Sequence, residues 1–215
     1  MRTLAIDSAT EACSVALFDD DRLVAGEWRM LGRGHAELLV PMIAALPENG
    51  RADRIVVALG PGSFTGVRVG LAAARALAFA WQARLQGYST LDLVAAMALH
   101  RSGPQPLAVA MTGGHGEWFV KSYSTAGATL FALASLTPDA ASAALTEPLV
   151  AGSQAEALVA ARGVGVALQL WPDAREFSLL PATGMTDAVH PLYGRAPDAK
   201  LPQSRSIPAN LKDDR

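Results

Sequence analysis

Asp7, Ser8 and Thr10 close the first apolar run, Thr3–Ile6, in the order Asp7-Ser8-Ala9-Thr10. An acid at a strand end followed by small hydroxyl residues can hold a phosphate or the metal that accompanies one. The competing reading is a turn acid capping its own backbone, and it is preferred because so short a motif recurs by chance. Gly60-Pro61-Gly62-Ser63-Phe64-Thr65-Gly66 is glycine-rich and opens a helix, a place where anions bind readily. It lacks the Lys-Ser/Thr pair of a P-loop and misses the dinucleotide spacing by one residue. Thr112-Gly113-Gly114-His115-Gly116 could face a phosphate through Gly113 and Gly114, but Gly-Gly between strands signals a hairpin, and the hairpin is preferred. His35 has no second histidine at i+4, so it reads as a helix-start or interface residue and not as a metal ligand. No G-x-S-x-G elbow and no HExxH occur. The acids available near a nucleotide are Asp7, Glu11 and Glu117. The chemistry-bearing inventory is that of a nucleotide-fold shell with little catalytic equipment.

The elements that must position these residues follow from periodicity. Cys13–Phe18 and Arg22–Trp28 continue the first strand as an antiparallel meander with short polar turns. His35–Leu46 has a helical period in Leu38, Leu39, Met42, Ile43 and Leu46, with Pro41 tolerable only near the helix start or at a kink. Ile55–Leu59 is a β-branched run typical of a buried strand. Ser63 or Thr65 caps a segment ending at Trp81 that is apolar nearly all round, with Arg68 and Arg75 on one narrow stripe. At 1.5 Å per residue it spans roughly 25 Å, short for a bilayer and interrupted by those arginines. One side is expected on the sheet and the small-residue side (Gly70, Ala73, Ala74) on another helix. Leu85–Tyr88 and a helix to His100 continue the strand–helix alternation of an α/β fold. Ser102–Pro106 is the best internal boundary. Beyond it, strands are expected at Leu107–Met111, Glu117–Ser124, Thr129–Ser135 and Pro148–Ala151, with a weak one at Val164–Leu170. Ser142–Leu145 reads as a helical turn and Ser153–Ala161 as a capped helix. The prolines from Pro181 onward break up the rest. No repeat of fixed period is visible. The 215 residues carry a formal net charge of −2, with no basic cluster for an autonomous nucleic-acid surface, and the single cysteine, Cys13, fits a reducing compartment. A cytoplasmic location is expected.

The segments LAIDSATEACSVAL, HAELLVPMI, GPGSFTGVRVGLAAARALAFA and GYSTLDLVA resemble the TsaB (YeaZ) family of tRNA threonylcarbamoyladenosine (t6A) biosynthesis, and PLYGRAPDAKLP is similar to its closing motif. The resemblance runs over nearly the whole chain and is strongest over residues 1–95. It implies an actin/Hsp70/sugar-kinase-like fold of two related lobes, mixed sheets flanked by helices. The units expected are 1–101 with partner-binding helices, a smaller 106–202, and a mobile tail at 203–215. It further implies a non-catalytic subunit that supports the TsaD-type transferase acting on adenosine 37 of ANN-decoding tRNAs. The TsaD HxxxH metal motif has no counterpart at Ala95–Leu99. Implied partners are TsaD, a TsaE-type ATPase, a second copy of the chain, and tRNA only within the complex. No resident cofactor or metal is implied, and ATP or ADP at the partner interface is left open.

The implied interface comprises His35, Leu38, Leu39, Met42, Val67, Arg68, Gly70, Leu71, Ala73, Ala74, Arg75 and Ala78. On that basis a glutamate at Ala73 or Ala74 is expected to break pairing while sparing the fold. Asp7, Ser8, Thr10, Gly113 and Gly114 are the candidates for a vestigial nucleotide site. The sequence departs from the family pattern at Met111-Thr112-Gly113-Gly114, where many members have an Asp-Ala-Arg strand end. The rival reading is an autonomous ATPase or small-molecule kinase of the same superfold, against which stands the lack of a convincing adenosine-binding glycine pair in the last third. A peptidase would need a metal pair or an activated nucleophile.

Overall fold

The computed structural model describes residues 1–192 and residue 194. β1 (Arg2–Asp7), β2 (Ala12–Asp19) and β3 (Arg22–Met30) form the expected antiparallel meander. α1 (His35–Ala44) leads into β4 (Arg54–Ala58), and α2 (Phe64–Trp81) into β5 (Arg84–Tyr88). β4 runs parallel to β1 and β5 parallel to β4, so the strands lie in the order β3-β2-β1-β4-β5. Both crossovers carry a helix, as parallel pairing demands. Pro41 sits inside α1. The Ser63 hydroxyl caps α2 by accepting from the Gly66 N–H at 3.3 Å, as its position before the helix predicts.

After α3 (Thr90–Ser102) the same unit is built again. β6 (Leu107–Thr112), β7 (Trp118–Tyr123) and β8 (Thr129–Leu136) make a second meander. α4 (Pro138–Ala144), β9 (Leu149–Ala151), α5 (Ala155–Arg162) and β10 (Val166–Leu168) follow, with β9 and β10 parallel to β6. The order β8-β7-β6-β9-β10 repeats that of the first sheet strand for strand. Two related lobes of mixed sheet flanked by helices are the actin/Hsp70/sugar-kinase-like architecture. The repeat is one of topology. The second helix of the unit has 18 residues in α2 and 8 in α5, so no fixed period survives in the sequence.

α3 joins the lobes because both its faces are apolar. Leu93 and Met97 enter the core of the first sheet, whereas Leu91, Val94, Ala95 and Ala98 enter that of the second. Asp92 on the same helix accepts from Lys121 Nζ at 2.6 Å and from the Tyr123 hydroxyl at 2.5 Å, both on β7.

The expected unit 106–202 comprises the second sheet, over 107–168, and a return segment that packs on the first. Trp28 Nε1 donates to the Pro172 carbonyl at 3.1 Å and the Ala174 N–H donates to Ser14 Oγ at 2.9 Å. The short helical turn Ala174–Leu179 inserts Phe177 against Phe18 and Tyr88, with ring centroids 5.9 and 6.0 Å apart. β11 (Met185–Thr186) then pairs antiparallel with β5, placing a sixth strand on the first sheet. The tail expected at 203–215 lies outside the described residues. No helix among the described residues is long and apolar enough to cross a membrane.

Candidate functional site

β1 delivers Asp7 to the end of the central strand, where its carboxylate is buried. Asp7 Oδ1 accepts from the Ala9 N–H at 3.0 Å and Oδ2 accepts from the Tyr88 hydroxyl at 3.2 Å. Burial pushes the carboxyl up to about 7, against the two hydrogen bonds that favour its charged form. The Ser8 hydroxyl donates to the Gly66 carbonyl at 2.9 Å, and Thr10 Oγ1 accepts from the Ala12 N–H at 3.2 Å. Asp7 and Thr10 thus cap backbone N–H groups of their own turn.

The spacing of the glycine-rich stretch explains what closes the turn. Gly62, Gly66 and Gly70 recur every fourth residue and line the side of the loop and of α2 that rests on the β1–β2 turn. A Cβ would overlap the Ala9 carbonyl at Gly62, the Ser8 carbonyl at Gly66 and the Ser8 hydroxyl at Gly70. The Ser63 N–H donates to the Ala9 carbonyl at 2.7 Å, and the Ser8 and Thr10 hydroxyls are engaged by the protein itself. The glycines serve close packing of helix on turn, which a motif-based reading takes for anion binding.

Gly113 and Gly114 occupy the turn between β6 and β7, the second lobe's equivalent of the Asp7 turn. Gly113 N–H donates to the Glu117 carbonyl at 2.8 Å, and the Glu117 N–H donates to the Gly114 carbonyl at 3.1 Å. A Cβ on Gly113 would lie 2.6 Å from the Glu117 oxygen, so the glycine belongs to the hairpin. No group of three His, Cys, Asp or Glu among the described residues is placed to hold a metal. Cys13 is buried and its thiol is pushed up to about 12, largely by desolvation. An open cleft of about 440 Å³ lies between Tyr88, Ser89 and Asp92 and the return segment at Thr186, His190 and Leu192.

The expected partner-interface set divides by burial. His35, Leu39, Met42, Val67, Gly70, Leu71, Ala74 and Ala78 are buried within this chain. His35 starts α1 and donates from Nε2 to the Thr10 carbonyl at 2.8 Å. Gly70 thus rests on Ser8 of the chain's own turn and against Val57 of β4, and Ala74 is buried in the core of the first lobe. Leu38 and Ala73 are half-buried, and Arg68 and Arg75 are exposed. The Arg68 guanidinium lies 3.6 Å from the Phe64 ring centroid, and Arg75 Nη2 donates to the Val189 carbonyl at 2.6 Å. Three large apolar side chains missing from the set remain at the surface of these helices: Val40, Phe64 at 60% exposure and Phe79 at 82%. The signal for Phe79 was present, since Arg68, Ala72, Arg75 and Phe79 fall at i, i+4, i+7 and i+11 on one stripe.

A family model described as TsaD, tRNA N6-adenosine threonylcarbamoyltransferase, matches residues 29–186. The chain is similar to the tRNA threonylcarbamoyladenosine biosynthesis protein TsaB of Escherichia coli K12, 38% identical over 128 residues, covering 57% of this chain and 55% of the relative. It is likewise similar to TsaB of Bacillus subtilis 168, 33% identical over 110 residues, covering 48% and 47%. The chain spans about half the length of the curated relatives it matches. Among solved structures it superposes on YeaZ from Pseudomonas aeruginosa with a TM-score of 0.72 and 28% identity, over 89% of this chain and 99% of that one. A further structure, described as an uncharacterized protein with similarity to peptidase YeaZ from the same organism, gives 0.74 and 29% over 90% and 99%.

Proposed function

Because the chain belongs to the TsaD family, and within it to the TsaB/YeaZ branch, we propose that it serves t6A synthesis as a non-catalytic subunit. On this reading it pairs with a TsaD-type transferase that modifies adenosine 37 of ANN-decoding tRNAs, and the pair recruits a TsaE-type ATPase. It works in the cytoplasm, self-associates when alone, and meets tRNA only within the complex. Any ATP or ADP sits at the junction with the partner.

The observation that carries the non-catalytic part is the closed β1–β2 turn. Asp7, Ser8 and Thr10 spend their polar atoms on Ala9, Tyr88, Gly66 and Ala12, and the glycine ladder of α2 lies directly on them. The partner-binding part is supported by Val40, Phe64 and Phe79, exposed on α1 and α2. Exposed aromatic side chains on one helix beside an exposed valine on the next suit a protein contact.

The deciding experiment is t6A formation in vitro with cognate TsaC, TsaD and TsaE, with and without this protein, beside an ATP-hydrolysis assay of the protein alone. The expected result is t6A formation that depends on the protein, with no hydrolysis by the protein alone. Hydrolysis alone without any effect on t6A would promote the kinase-like alternative.

A further inference from the structure

α2 carries no acidic residue over its 18 positions, and its outward stripe reads Arg68, Ala72, Arg75 and Phe79. The Arg68 guanidinium lies over the Phe64 ring. Arg75, within the stripe, is exposed and makes no ion pair among the described residues. Its Nη2 donates to the Val189 carbonyl of the return segment at 2.6 Å.

That carbonyl is held firmly. The Val189 side chain is buried in the core of the first lobe. Two residues earlier, Asp187 accepts from Arg84 Nη2 at 3.0 Å and from Gln86 Nε2 at 2.9 Å. Three residues later, the Leu192 N–H donates to the Leu59 carbonyl at 2.8 Å. The segment is thus pinned on both sides of the group that holds Arg75, and a flexible side chain is fixed before any partner arrives. A guanidinium has five N–H donors in a planar fork, and a single neutral carbonyl leaves most of them unspent. The complement of the remaining fork is a carboxylate, bound through two parallel N–H···O bonds.

We propose that Arg75 selects an acidic side chain on the partner, and that the return segment is the support that presets it. This rests on the assignment of the α1–α2 face to the transferase subunit. Arg75 and Phe79 are four residues apart, roughly 6 Å along the helix. The partner surface that fits them has a carboxylate one helical turn from an apolar pocket for the Phe79 ring. Fixing Arg75 in advance favours binding, because a rotamer-rich side chain immobilised only on association costs affinity. The coupling is reciprocal: a segment that helps Arg75 hold the acid is itself held more tightly once the acid is bound. The far end of that segment reaches the second lobe, where a Cβ on Gly194 would lie 2.6 Å from the Phe119 ring of β7. A contact made on α2 is therefore tied through one segment to both lobes.

Calorimetry with the cognate TsaD-type subunit at low and high salt tests the proposal, with Arg75→Ala and Arg75→Lys alongside. Hydrogen exchange over residues 187–192 is followed with and without that subunit. Arg75→Ala should keep the parent's circular dichroism spectrum and bind weaker by about tenfold or more. It should also lose part of the salt dependence that screening of an ion pair produces. Arg75→Lys should restore the salt dependence but only part of the affinity, since an ammonium forms no bidentate pair. Exchange at the Leu192 N–H should slow when the partner binds the parent, and should be faster in free Arg75→Ala than in the free parent. A role confined to bracing the fold would speed exchange in Arg75→Ala and leave the salt dependence untouched, which would overturn the proposal. Parent-like affinity in Arg75→Ala, or exchange over 187–192 indifferent to the partner, would do the same while leaving the α1–α2 assignment intact. A parent that does not bind the subunit at all would overturn both.

Discussion

Asp7 shows how one buried acid can look like chemistry and act as structure. Its folded-state pKa lies near 7 against an ordinary 3.8, with desolvation as the largest cause. The folded state therefore binds the proton more tightly than the unfolded chain does. The resulting stability is fully present below about pH 4 and is lost as pH rises through 7. At 1.36 kcal/mol per pKa unit the full swing is about 4 kcal/mol, an order-of-magnitude figure. Asparagine reproduces the protonated acid, since its oxygen can accept from the Ala9 N–H and its amide can donate to the Tyr88 oxygen. Tyr88 then keeps its own bond to the Ile6 carbonyl, now at 3.1 Å. Urea unfolding of the parent should lose stability between pH 5 and 8, and Asp7→Asn should remove most of that slope and be at least as stable at pH 8. Equal slopes in the two proteins would mean that Asp7 is ionised in the fold and that its hydrogen bonds outweigh its burial.

On α2, two positions five residues apart separate folding from pairing. Ala74 is wholly buried in the core of the first lobe, and Phe79 stands out in solvent. A charge at Ala74 has no room and no partner, a cost of several kcal/mol, on the order of the chain's whole stability. Ala74→Glu should thus lose the fold, contrary to the sequence-based expectation that it would break only pairing. Phe79→Glu should keep the parent's circular dichroism and melting temperature and lose binding to the transferase subunit in a pull-down or by calorimetry. Retained binding by folded Phe79→Glu would take the interface off this face. The sequence made the helix, its Ser63 cap and its ends legible, because capping and periodicity are local. The direction in which each side faces was only partly legible: the Arg68 and Arg75 stripe marks the outward side that carries Phe79, but the apolar remainder does not say which side meets the chain's own sheet. The glycine spacing at 62, 66 and 70 was readable but ambiguous, because close packing and anion binding both call for glycine.

At the scale of the molecule, the duplicated lobe was legible element by element, and the return of the chain was not. The segment after Pro172 has no strong period, so nothing local says that it crosses back to the first sheet; its placement depends on single anchors that only the tertiary structure supplies. Phe177 is the chief of these. It lies between Phe18 and Tyr88, with the Arg54 guanidinium 5.7 Å from its ring centroid, and Tyr88 in turn bonds Asp7. α3 already sends side chains into both cores, so the return segment is a second tie on a pair of lobes that share a helix. Two ties predict one cooperative unit even though the linker at Gly103–Pro106 looks like a domain boundary. Phe177→Ala removes a core aromatic and should cost about 3 kcal/mol or more, read as a shift of a single unfolding transition followed by both circular dichroism and tryptophan fluorescence. Trp28 and Trp118 report from different sheets. A cost below about 1 kcal/mol, the range of a surface substitution, would make the segment an ornament on the first lobe. A split into two transitions in the parent would show lobes that fold separately. A single, strongly shifted transition instead means that the return segment helps hold the first lobe, with its closed turn and its outward-facing α2, to the second.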